Sequence, residues 1–515
     1  MNDIVFLNGN LVDGKNNPIK KVNIAINDGK ISDVSEKPLV GKESCDISGL
    51  YFCPGFIDVH THSDFRIFSK PTEKLYQGVT TEVVGNCGFS AFNLPGIDKK
   101  AVSNFVKPLL GNVTEKKIYS IGEYISRLKG NISNSISILL GHGNLRFVLG
   151  NEQKKVLSDF EIKTLQKLLD EVLSIKELKG VSLGLEYPPG SFAGTKELIS
   201  LCKIIEKHNK LIAIHLRSHY DDFLSSVEEA ISLAIKTGVS LQISHLQNCY
   251  FEKNPDSIEK ALEKIEFANE REKLNVSFDM YPYLAGSSVL TYFLPDDIMQ
   301  NGKNSMINIL KSPNQREAII KKMNKLRIID WSKVFVNYVP SGGEVIGKSL
   351  EDLSKIYKQQ PEEVLFDILI KEKGEGTFIK YDKSENDLIA TFKSKYFLLG
   401  SDSIWSAVKA HPRLYGSFIR FLKHYIIDKK MLSLEEAISK CTFFSAKKFN
   451  MENIGCIEKG KIADIVVLDI NNLRDLSNFD NPSQIPKGVV HVLQSGKFSI
   501  KNQVVVNNSL GRVIR

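Results

Sequence analysis

The sequence lacks several features that would place a chain of 515 residues in a class at once. It has no apolar run long enough to cross a bilayer, and its formal net charge of +8 is spread along the chain instead of forming a basic block. Its seven cysteines show no paired spacing, which is typical of a protein from a reducing compartment. We therefore expect no disulfide framework, and neither a membrane nor a nucleic acid as a partner.

We also expect no secretory leader at the start of the sequence. The residues that follow Met1, NDIVFLNGNLVDGKNN, have no cationic start, apolar core or small-residue cleavage site. With 42% hydrophobic and 25% charged residues, the composition is that of a globular protein that can bury a large core. These observations predict a cytoplasmic protein with one large domain and an accessory one.

The sequence does contain a long alternation of short apolar strands and amphipathic helical stretches. Helical patterns such as KELISLCKIIEKHN and FLSSVEEAISLAIKTG separate most of the strands. This alternation predicts an α/β fold, an eight-stranded (β/α)8 TIM-like barrel. The strand segments are FIDVH, TTEVVG, SISILLG, VSLGLE, LIAIH, SLQISH, NVSFDMY and YFLLGSD.

The two ends of the chain have a different pattern from the barrel at 55–440. Residues 1–54 alternate short apolar runs with turn signals, and the same texture returns in 441–515. Because lone hairpins are too small to be stable, we expect both ends to form one small β-sandwich domain. The stretch between the seventh and eighth strands is too long for one crossover, which predicts an inserted subdomain at about 288–345, before the last barrel strand.

Polar residues of the barrel stand at the carboxyl ends of its predicted strands. In a parallel barrel all these ends lie on one face, which carries the active site. A single buried histidine is usually a core residue with a backbone partner, but four on one face with a cysteine and an aspartate favour a metal site. The strand-end residues are His60, His62, Cys87, His142, Glu186, His215, His245, Tyr281 and Asp402.

The donor types at these ends indicate which metal. His60 and His62 are two residues apart in DVHTH, so in an extended strand both imidazoles point to the same side. Imidazole, thiolate and carboxylate together suit zinc, whose catalytic sites keep one position open for water. Cys87 has no general base near it in the sequence, and its place beside His215 and His245 favours a ligand over a nucleophile.

Eight motifs surround these residues, in this order along the chain: GFIDVHTHSD, GVTTEVVGNCGFS, GHGNLR, LGLEYPPG, QISHLQ, DMYPYLAGSS, GSDS with HPRLYG, and GCIEKGKIADIVVLD. Together they resemble the N-acyl-D-amino-acid deacylases (D-aminoacylases) of the amidohydrolase superfamily, over essentially the whole chain. The resemblance implies a metal-bearing barrel, a β-sandwich domain from both termini and an insertion before the last strand. It also implies a small-molecule N-acyl amino acid as the substrate.

The resemblance further implies how metal would be held. Many amidohydrolases bridge two metals with a carboxylated lysine at the fourth strand, whereas LGLEYPPG has a glutamate and no lysine there. In the deacylases a second-strand cysteine takes over this role. The implied ligands of one tight zinc are Cys87, His215 and His245, and the residues that frame a second, weaker position are His60, His62 and Asp402.

Substrate binding and proton transfer are assigned to further residues, and Gln247 is a fourth substrate-binding position beside Arg413, Tyr281 and Ser287. Arg413 in HPRLYG is suited to a bidentate hold on a carboxylate, and the resemblance assigns it, with Tyr281 and Ser287, to the free α-carboxylate. Asp402 is the predicted general base, which takes a proton from the metal-activated water and passes it to the departing amine. The expected reaction is zinc-dependent hydrolysis of an N-acyl-D-amino acid to a carboxylate and a D-amino acid.

Two departures from the family pattern affect the expected substrate. The family usually has a lysine two residues after the sixth-strand histidine, where this chain has Gln247, which donates a hydrogen bond but brings no charge. His219 stands where an acidic residue is expected. Two alternatives therefore stay open: another amidohydrolase that acts on cyclic amides or unusual dipeptides, and a non-catalytic protein that kept the fold.

Overall fold

The computed structural model describes residues 1–110, 114–150, 156–249, 252–299, 302–326, 328–405 and 409–515. Its central element is an eight-stranded sheet in which all neighbouring strands are parallel. The first and last strands meet through a bridge between Thr61 and Ser403, so the sheet is a nearly closed barrel. In chain order the strands are Phe56–Asp58, Val79–Val84, Ser135–Gly141, Leu178–Gly184, Leu211–His215, Ser240–Ile243, Val276–Met280 and Phe397–Leu399.

The predicted (β/α)8 barrel is confirmed, and each strand overlaps the segment assigned to it. Most of the strands are buried along their whole length, as expected for parallel strands covered on both faces. This burial explains why they appear in the sequence as continuous apolar runs. The helices outside the barrel are amphipathic: in Asp159–Val172, the residues at helical spacing Ile162, Leu165, Leu169 and Val172 are buried.

The remaining helices follow the same chain order. None of the helices within the described residues is long and apolar enough to cross a membrane. The helices outside the insertion are Lys99–Leu110, Ile121–Leu128, His142–Phe147, Asp159–Val172, Thr195–Lys207, Phe223–Thr237, Ser257–Glu270, Glu385–Lys393, Arg413–Arg420, Leu434–Cys441 and Phe443–Lys448, with a π-helix at Phe421–Asp428. Short 3₁₀ turns lie at Arg66–Ser69, Leu75–Gln77, Glu115–Lys117, Gly190–Phe192, Leu290–Phe293 and Trp331–Lys333.

Strands from both ends of the chain pair in one nine-stranded sheet. Tyr51–Pro54 pairs antiparallel with Ile465–Leu468, so the two termini are joined directly beside the start of the barrel. The domain bounds 1–54, 55–440 and 441–515 stay predictions. The strands of this sheet are Asn2–Leu11, Lys20–Asn27, Lys30–Ser35, Gly41–Asp46, Tyr51–Pro54, Ile465–Leu468, Val489–Gln494, Lys497–Lys501 and Val504–Val505, and a separate two-stranded sheet joins Phe92–Asn93 to Tyr119–Ser120.

A third sheet lies between the seventh and eighth barrel strands. Three antiparallel strands, Ala285–Val289, Thr377–Tyr381 and Val334–Tyr338, form what we call the inserted sheet. It has its own hydrophobic cluster with the helices of this segment. The predicted bounds of about 288–345 stay a prediction, and the paired strands extend beyond them on both sides. The helices are Asp296–Met299, Gly302–Leu310, Pro313–Leu326, Leu350–Tyr357 and Pro361–Lys371.

Candidate metal centre and active site

A cavity opens between the carboxyl end of the barrel and the inserted sheet. We use the term donor rim for the residues at the carboxyl end of the barrel whose side chains carry possible metal-binding atoms. Those that line the cavity are His62, Cys87, Glu186, His215, His245 and Asp402. The facing wall comes from the inserted sheet and the turn after it and includes Gly286, Ser287, Phe378, Lys380, Asp382 and Lys383. The site is thus built from two parts of the chain that the sequence separates.

Cys87 lies at the centre of the donor rim. Its Sγ is 3.3 Å from His60 Nε2 and 3.8 Å from His245 Nε2. Metal-ligating atoms of Cys87, His215 and His245 lie within 4.8 Å of one another, and so do those of Cys87, His60 and His62. The structure therefore brings the predicted ligands together in two trios that share one thiol.

The surroundings of Cys87 favour the thiolate. Burial alone raises the pKa of this thiol, but the charge of His60 and hydrogen bonds from His215, His245 and His60 hold the pKa well below its usual value. A thiolate is the form of cysteine that binds metal. The buried cysteines elsewhere behave differently: burial raises the pKa of Cys202 to about 12.

Asp402 closes the donor rim on the other side. Its Oδ1 lies 3.2 Å from His62 Nε2 and 3.4 Å from His60 Nε2, and its Oδ2 accepts a 2.9 Å hydrogen bond from Arg413 Nη1. Burial raises the pKa of Asp402, but the charges of Arg413 and His60 and the hydrogen bond of His62 hold it well below its usual range. Asp402 is therefore an ionised carboxylate with one oxygen directed at the histidines.

Unusual backbone conformation places three of these side chains. Cys87, His245 and Asp402 have φ values of 53°, 31° and 47°, in the left-handed region that non-glycine residues rarely adopt. Each lies two or three residues beyond its strand, so a sharp turn directs its side chain over the end of the barrel. Such conformations cost about 1–3 kcal/mol each and cluster at functional sites.

The turn at Cys87 needs both of its neighbouring glycines. Gly85 and Gly88 each have a φ of 82°. A Cβ on Gly85 would lie 2.1 Å from the carbonyl oxygen of Leu139, and one on Gly88 would lie 2.8 Å from the amide nitrogen of Gly184. The loop therefore packs against the third and fourth strands too closely for any side chain at either position.

Asp279 orients two histidines, and the sequence analysis missed it. Its Oδ1 lies 2.9 Å from His60 Nδ1 and accepts a 2.9 Å hydrogen bond from the backbone amide of His245, while Oδ2 accepts one from Gln242 Nε2. With Nδ1 held in this way, His60 directs Nε2 toward Cys87. A carboxylate behind a metal-binding histidine is a frequent arrangement. The available signal was an acidic residue inside the apolar strand SFDMY.

A buried ion pair supports the first strand from behind, and this was also missed. Lys74 Nζ lies 2.6 Å from Asp58 Oδ2 and 2.7 Å from Ser401 Oγ. Asp58 Oδ1 accepts hydrogen bonds from the backbone amides of Ser401 and His60. The pair thereby ties the loop that carries His60 to the loop that carries Asp402.

Glu186 and His219 lie on the side of the rim away from Asp402. Glu186 Oε2 is 3.0 Å from His215 Nε2, so the fourth strand supplies a carboxylate partner to His215. Burial lowers the pKa of His219 to about 3, and its Nδ1 lies 3.3 Å from the carbonyl oxygen of Gln247. The low pKa favours neutral His219, and ligand atoms of Glu186, His215 and His219 lie within 4.8 Å of one another.

The predicted substrate-binding residues fall into two groups. Tyr281, Ser287 and Gln247 line the cavity, and the Tyr281 hydroxyl donates a 3.1 Å hydrogen bond to Gln247 Oε1. Arg413 is fully buried behind the lining, where it donates to Asp402 and to the carbonyl oxygen of Ser287. In this arrangement the guanidinium supports the carboxylate of Asp402.

His142 lies apart from the centre. Its Nε2 is 2.8 Å from Glu197 Oε1, on the helix Thr195–Lys207. Both residues are buried outside the cavity lining. This pairing indicates a structural role in which the start of one helix is fixed to another.

The donor rim fits a zinc ion on its own chemistry. A low-pKa thiol stands among imidazoles, and carboxylates lie beside them, which is a donor set that zinc prefers. Several imidazole nitrogens of the rim are buried with no hydrogen-bond partner among the described residues, which is costly unless another group satisfies them. These atoms are His62 Nδ1, His215 Nδ1, His219 Nε2 and His245 Nδ1.

Comparisons with known proteins agree with this geometry. A model of the amidohydrolase family matches residues 396–500. The chain is 27% identical to a D-aminoacylase of Alcaligenes xylosoxydans xylosoxydans, over 99% of this chain and 97% of that protein.

Solved structures give the same result. N-acyl-D-glutamate deacylase from Bordetella bronchiseptica, crystallised with zinc and a phosphonate inhibitor that mimics the tetrahedral intermediate, matches with a TM-score of 0.83 and 26% identity, covering 100% of this chain and 99% of that one. A D-aminoacylase structure, reported for a binuclear centre with one-metal activation and second-metal attenuation, gives a TM-score of 0.83 and 25% identity over both full chains. The chain is thus similar over its whole length, in sequence and in fold, to N-acyl-D-amino-acid deacylases.

Proposed function

We propose that this protein is a zinc-dependent hydrolase that cleaves the linear amide bond of N-acyl-D-amino acids and releases a carboxylate and a D-amino acid. The observation that carries the proposal is the trio of Cys87, His215 and His245 at a cavity that also holds Asp402. The full-length similarity to D-aminoacylase supports the substrate class.

The proposed tight zinc position is the trio of Cys87, His215 and His245, and the second, weaker position is framed by His60, His62 and Asp402. A bound zinc lowers the pKa of a water and polarises the acyl carbonyl. The buried, unpartnered imidazole nitrogens of the rim support both positions. Cys87 belongs to both trios, so two cations would share one thiolate. We take this sharing as the reason why the second position binds metal more weakly.

Asp402 is the proposed general base and acid. Its Oδ2 is held by Arg413, which leaves Oδ1 toward the histidines and the cavity. The low pKa keeps Asp402 an ionised carboxylate at neutral pH, which is the form that a general base requires. The same group then returns the proton to the amine, which leaves poorly as an anion.

The proposed substrate is a small molecule whose free α-carboxylate binds near Tyr281 and Ser287. Both line the cavity together with Gln247. Arg413 lies behind the lining and holds Ser287 through a hydrogen bond to its carbonyl oxygen.

We place the protein in the cytoplasm, which the scattered free cysteines support.

The neutral Gln247 favours a second candidate, an amidohydrolase of cyclic amides or unusual dipeptides. We would test zinc-loaded protein on N-acyl-D- and N-acyl-L-amino acids, hydantoins and dipeptides, beside Asp402→Asn. We expect hydrolysis of N-acyl-D-amino acids, and a loss of about 10²–10⁴-fold in kcat in Asp402→Asn with zinc retained. Turnover of only the cyclic amides or dipeptides would support the second candidate. A protein without zinc after expression with zinc would support a non-catalytic role.

A further inference from the structure

The cavity lacks a cation at the two places where one is expected for carboxylate binding. Gln247 is neutral, and it already accepts a hydrogen bond from the Tyr281 hydroxyl. Arg413 is paired with Asp402 behind the cavity lining. A carboxylate taken from water into this cavity therefore needs a positive partner from another part of the chain, because a buried unpaired charge is costly.

Lys383 stands at this place. It lies two residues after the strand Thr377–Tyr381 of the inserted sheet and lines the same cavity as Tyr281 and Gln247. Its ammonium is 5.4 Å from the centre of the Tyr281 ring. Its backbone amide donates to the carbonyl oxygen of Leu284, which follows Tyr281 by three residues, so the two backbone segments lie side by side.

Gly286 lies directly against these two groups. A Cβ built on Gly286 would lie 2.8 Å from Lys383 Nζ and 3.1 Å from the Tyr281 hydroxyl. The φ of Gly286 is not in the left-handed region, so backbone conformation does not require glycine here. A side chain at this position would displace the ammonium or the hydroxyl, and these are the donors that bind a carboxylate. Glycine thus lets both groups stay beside each other at the cavity.

The charge around Lys383 also favours an anion. Lys383 Nζ donates a 2.7 Å hydrogen bond to Asp382 Oδ1, and Lys380 Nζ lies 3.5 Å from Asp382 Oδ2. Burial raises the pKa of Asp382, but the charges of Lys383 and Lys380 hold it below its usual value. Two ammonium groups and one carboxylate leave a single excess positive charge at a buried wall, which an anion in the cavity would balance.

We infer that Lys383 is a specificity-determining residue that binds the α-carboxylate of the substrate, in place of the lysine expected at position 247. This inference rests on the proposed function, since it names the group that recognises one end of the proposed substrate. The inserted sheet thus supplies the charge that the sixth strand lacks. Lys380 is the matched comparison, because its ammonium faces the Tyr220 hydroxyl at 3.0 Å instead of Tyr281.

The test compares the best N-acyl-D-amino acid of the panel with the same compound as its α-carboxamide. We expect Lys383→Met to lower kcat/KM for the acid by roughly 30-fold or more, mainly through KM, and to change the carboxamide by less than about threefold. Lys380→Met should lower the acid by less than about fivefold. Adding Gln247→Lys to Lys383→Met should recover about tenfold or more of the loss.

Three controls keep the outcomes distinct. Melting temperature and zinc content show whether each variant folds and loads, and Lys383→Gln, which keeps a donor for Asp382, replaces Lys383→Met if that variant does not fold. Equal losses for acid and carboxamide, or no loss for either, would overturn the role of Lys383. If wild type hydrolyses no N-acyl-D-amino acid, the proposed function fails; tighter binding of the acid than of the carboxamide by calorimetry, lost in Lys383→Met, would still support the role of Lys383.

Discussion

The two walls of the cavity, the donor rim and the inserted sheet, hold their charges in different ways. On the rim, the proposed metal ligands come from the ends of several parallel strands, and Cys87, His245 and Asp402 are placed by left-handed backbone turns. On the inserted sheet, Lys380, Asp382 and Lys383 come from one short stretch of a single chain segment. The rim therefore depends on closure of the whole barrel, whereas the charged groups of the facing wall are neighbours in one short segment.

This difference separates the proposed control of the chemical step from the proposed control of substrate selection. The rim holds the groups proposed for chemistry, and strand-end backbone and carboxylates such as Asp279 fix their positions. The facing wall holds the groups proposed for substrate selection, on a sheet with its own hydrophobic cluster. We expect substitutions on the rim to remove metal and activity together, and substitutions on the wall to change substrate preference while metal stays bound.

The largest effect should come from Cys87→Ala. The thiolate is shared by both donor trios, so its removal leaves neither with three ligands. We expect loss of most bound zinc and a decrease in kcat of about 10³-fold or more, since the water is no longer activated. Metal analysis and kinetics on the same preparation measure both. Cys202→Ala, at a buried helical cysteine away from the cavity, is the matched control; a Cys87→Ala protein that keeps its zinc and its activity would contradict the proposed centre.

A smaller loss is expected from Asp279→Asn. The substitution keeps the size of the side chain but removes the charge that holds His60 Nδ1 and places an amide beside the Gln242 donor. Loss of such a partner typically costs about 10–100-fold in metal affinity or activity. Zinc affinity by competition with a chelator checks this. Asp387→Asn, on the outer helix Glu385–Lys393, should leave the affinity unchanged; equal effects of the two variants would show that Asp279 acts through stability alone.

Much of the rim was predictable because the carboxyl ends of the parallel strands lie on one face of a closed barrel. Once eight parallel strands are recognised, residues as far apart in sequence as His60 and Asp402 must lie on one face. The left-handed backbone at Cys87, His245 and Asp402 was not predictable, because nothing in these residue types requires it. At Cys87 it accompanies close packing of the loop against the third and fourth strands.

The facing wall was not predictable for a different reason. The position of Lys383 beside Tyr281 depends on the pairing of Ala285–Val289 with Thr377–Tyr381. Several helices separate these two strands in the sequence. No motif marks such a pairing, and a lysine near the end of a strand is usually a surface residue. The same holds for the buried pair of Lys74 and Asp58, which joins loops that the sequence keeps apart.

The smallest effect, and the sharpest comparison of the two walls, should come from Gln247→Lys alone. If the ammonium of Lys383 already pairs with the substrate α-carboxylate, the new ammonium at position 247 has no unpaired carboxylate to bind. It also lies near a like charge. We therefore expect Gln247→Lys alone to change kcat/KM for the acid by less than about threefold. In the Lys383→Met background the same substitution should restore activity. A double-mutant cycle measures this non-additivity. An increase of more than about tenfold in the single variant would mean that the carboxylate end lacks a cation in the wild type. The inserted sheet would then shape the cavity without recognising the carboxylate.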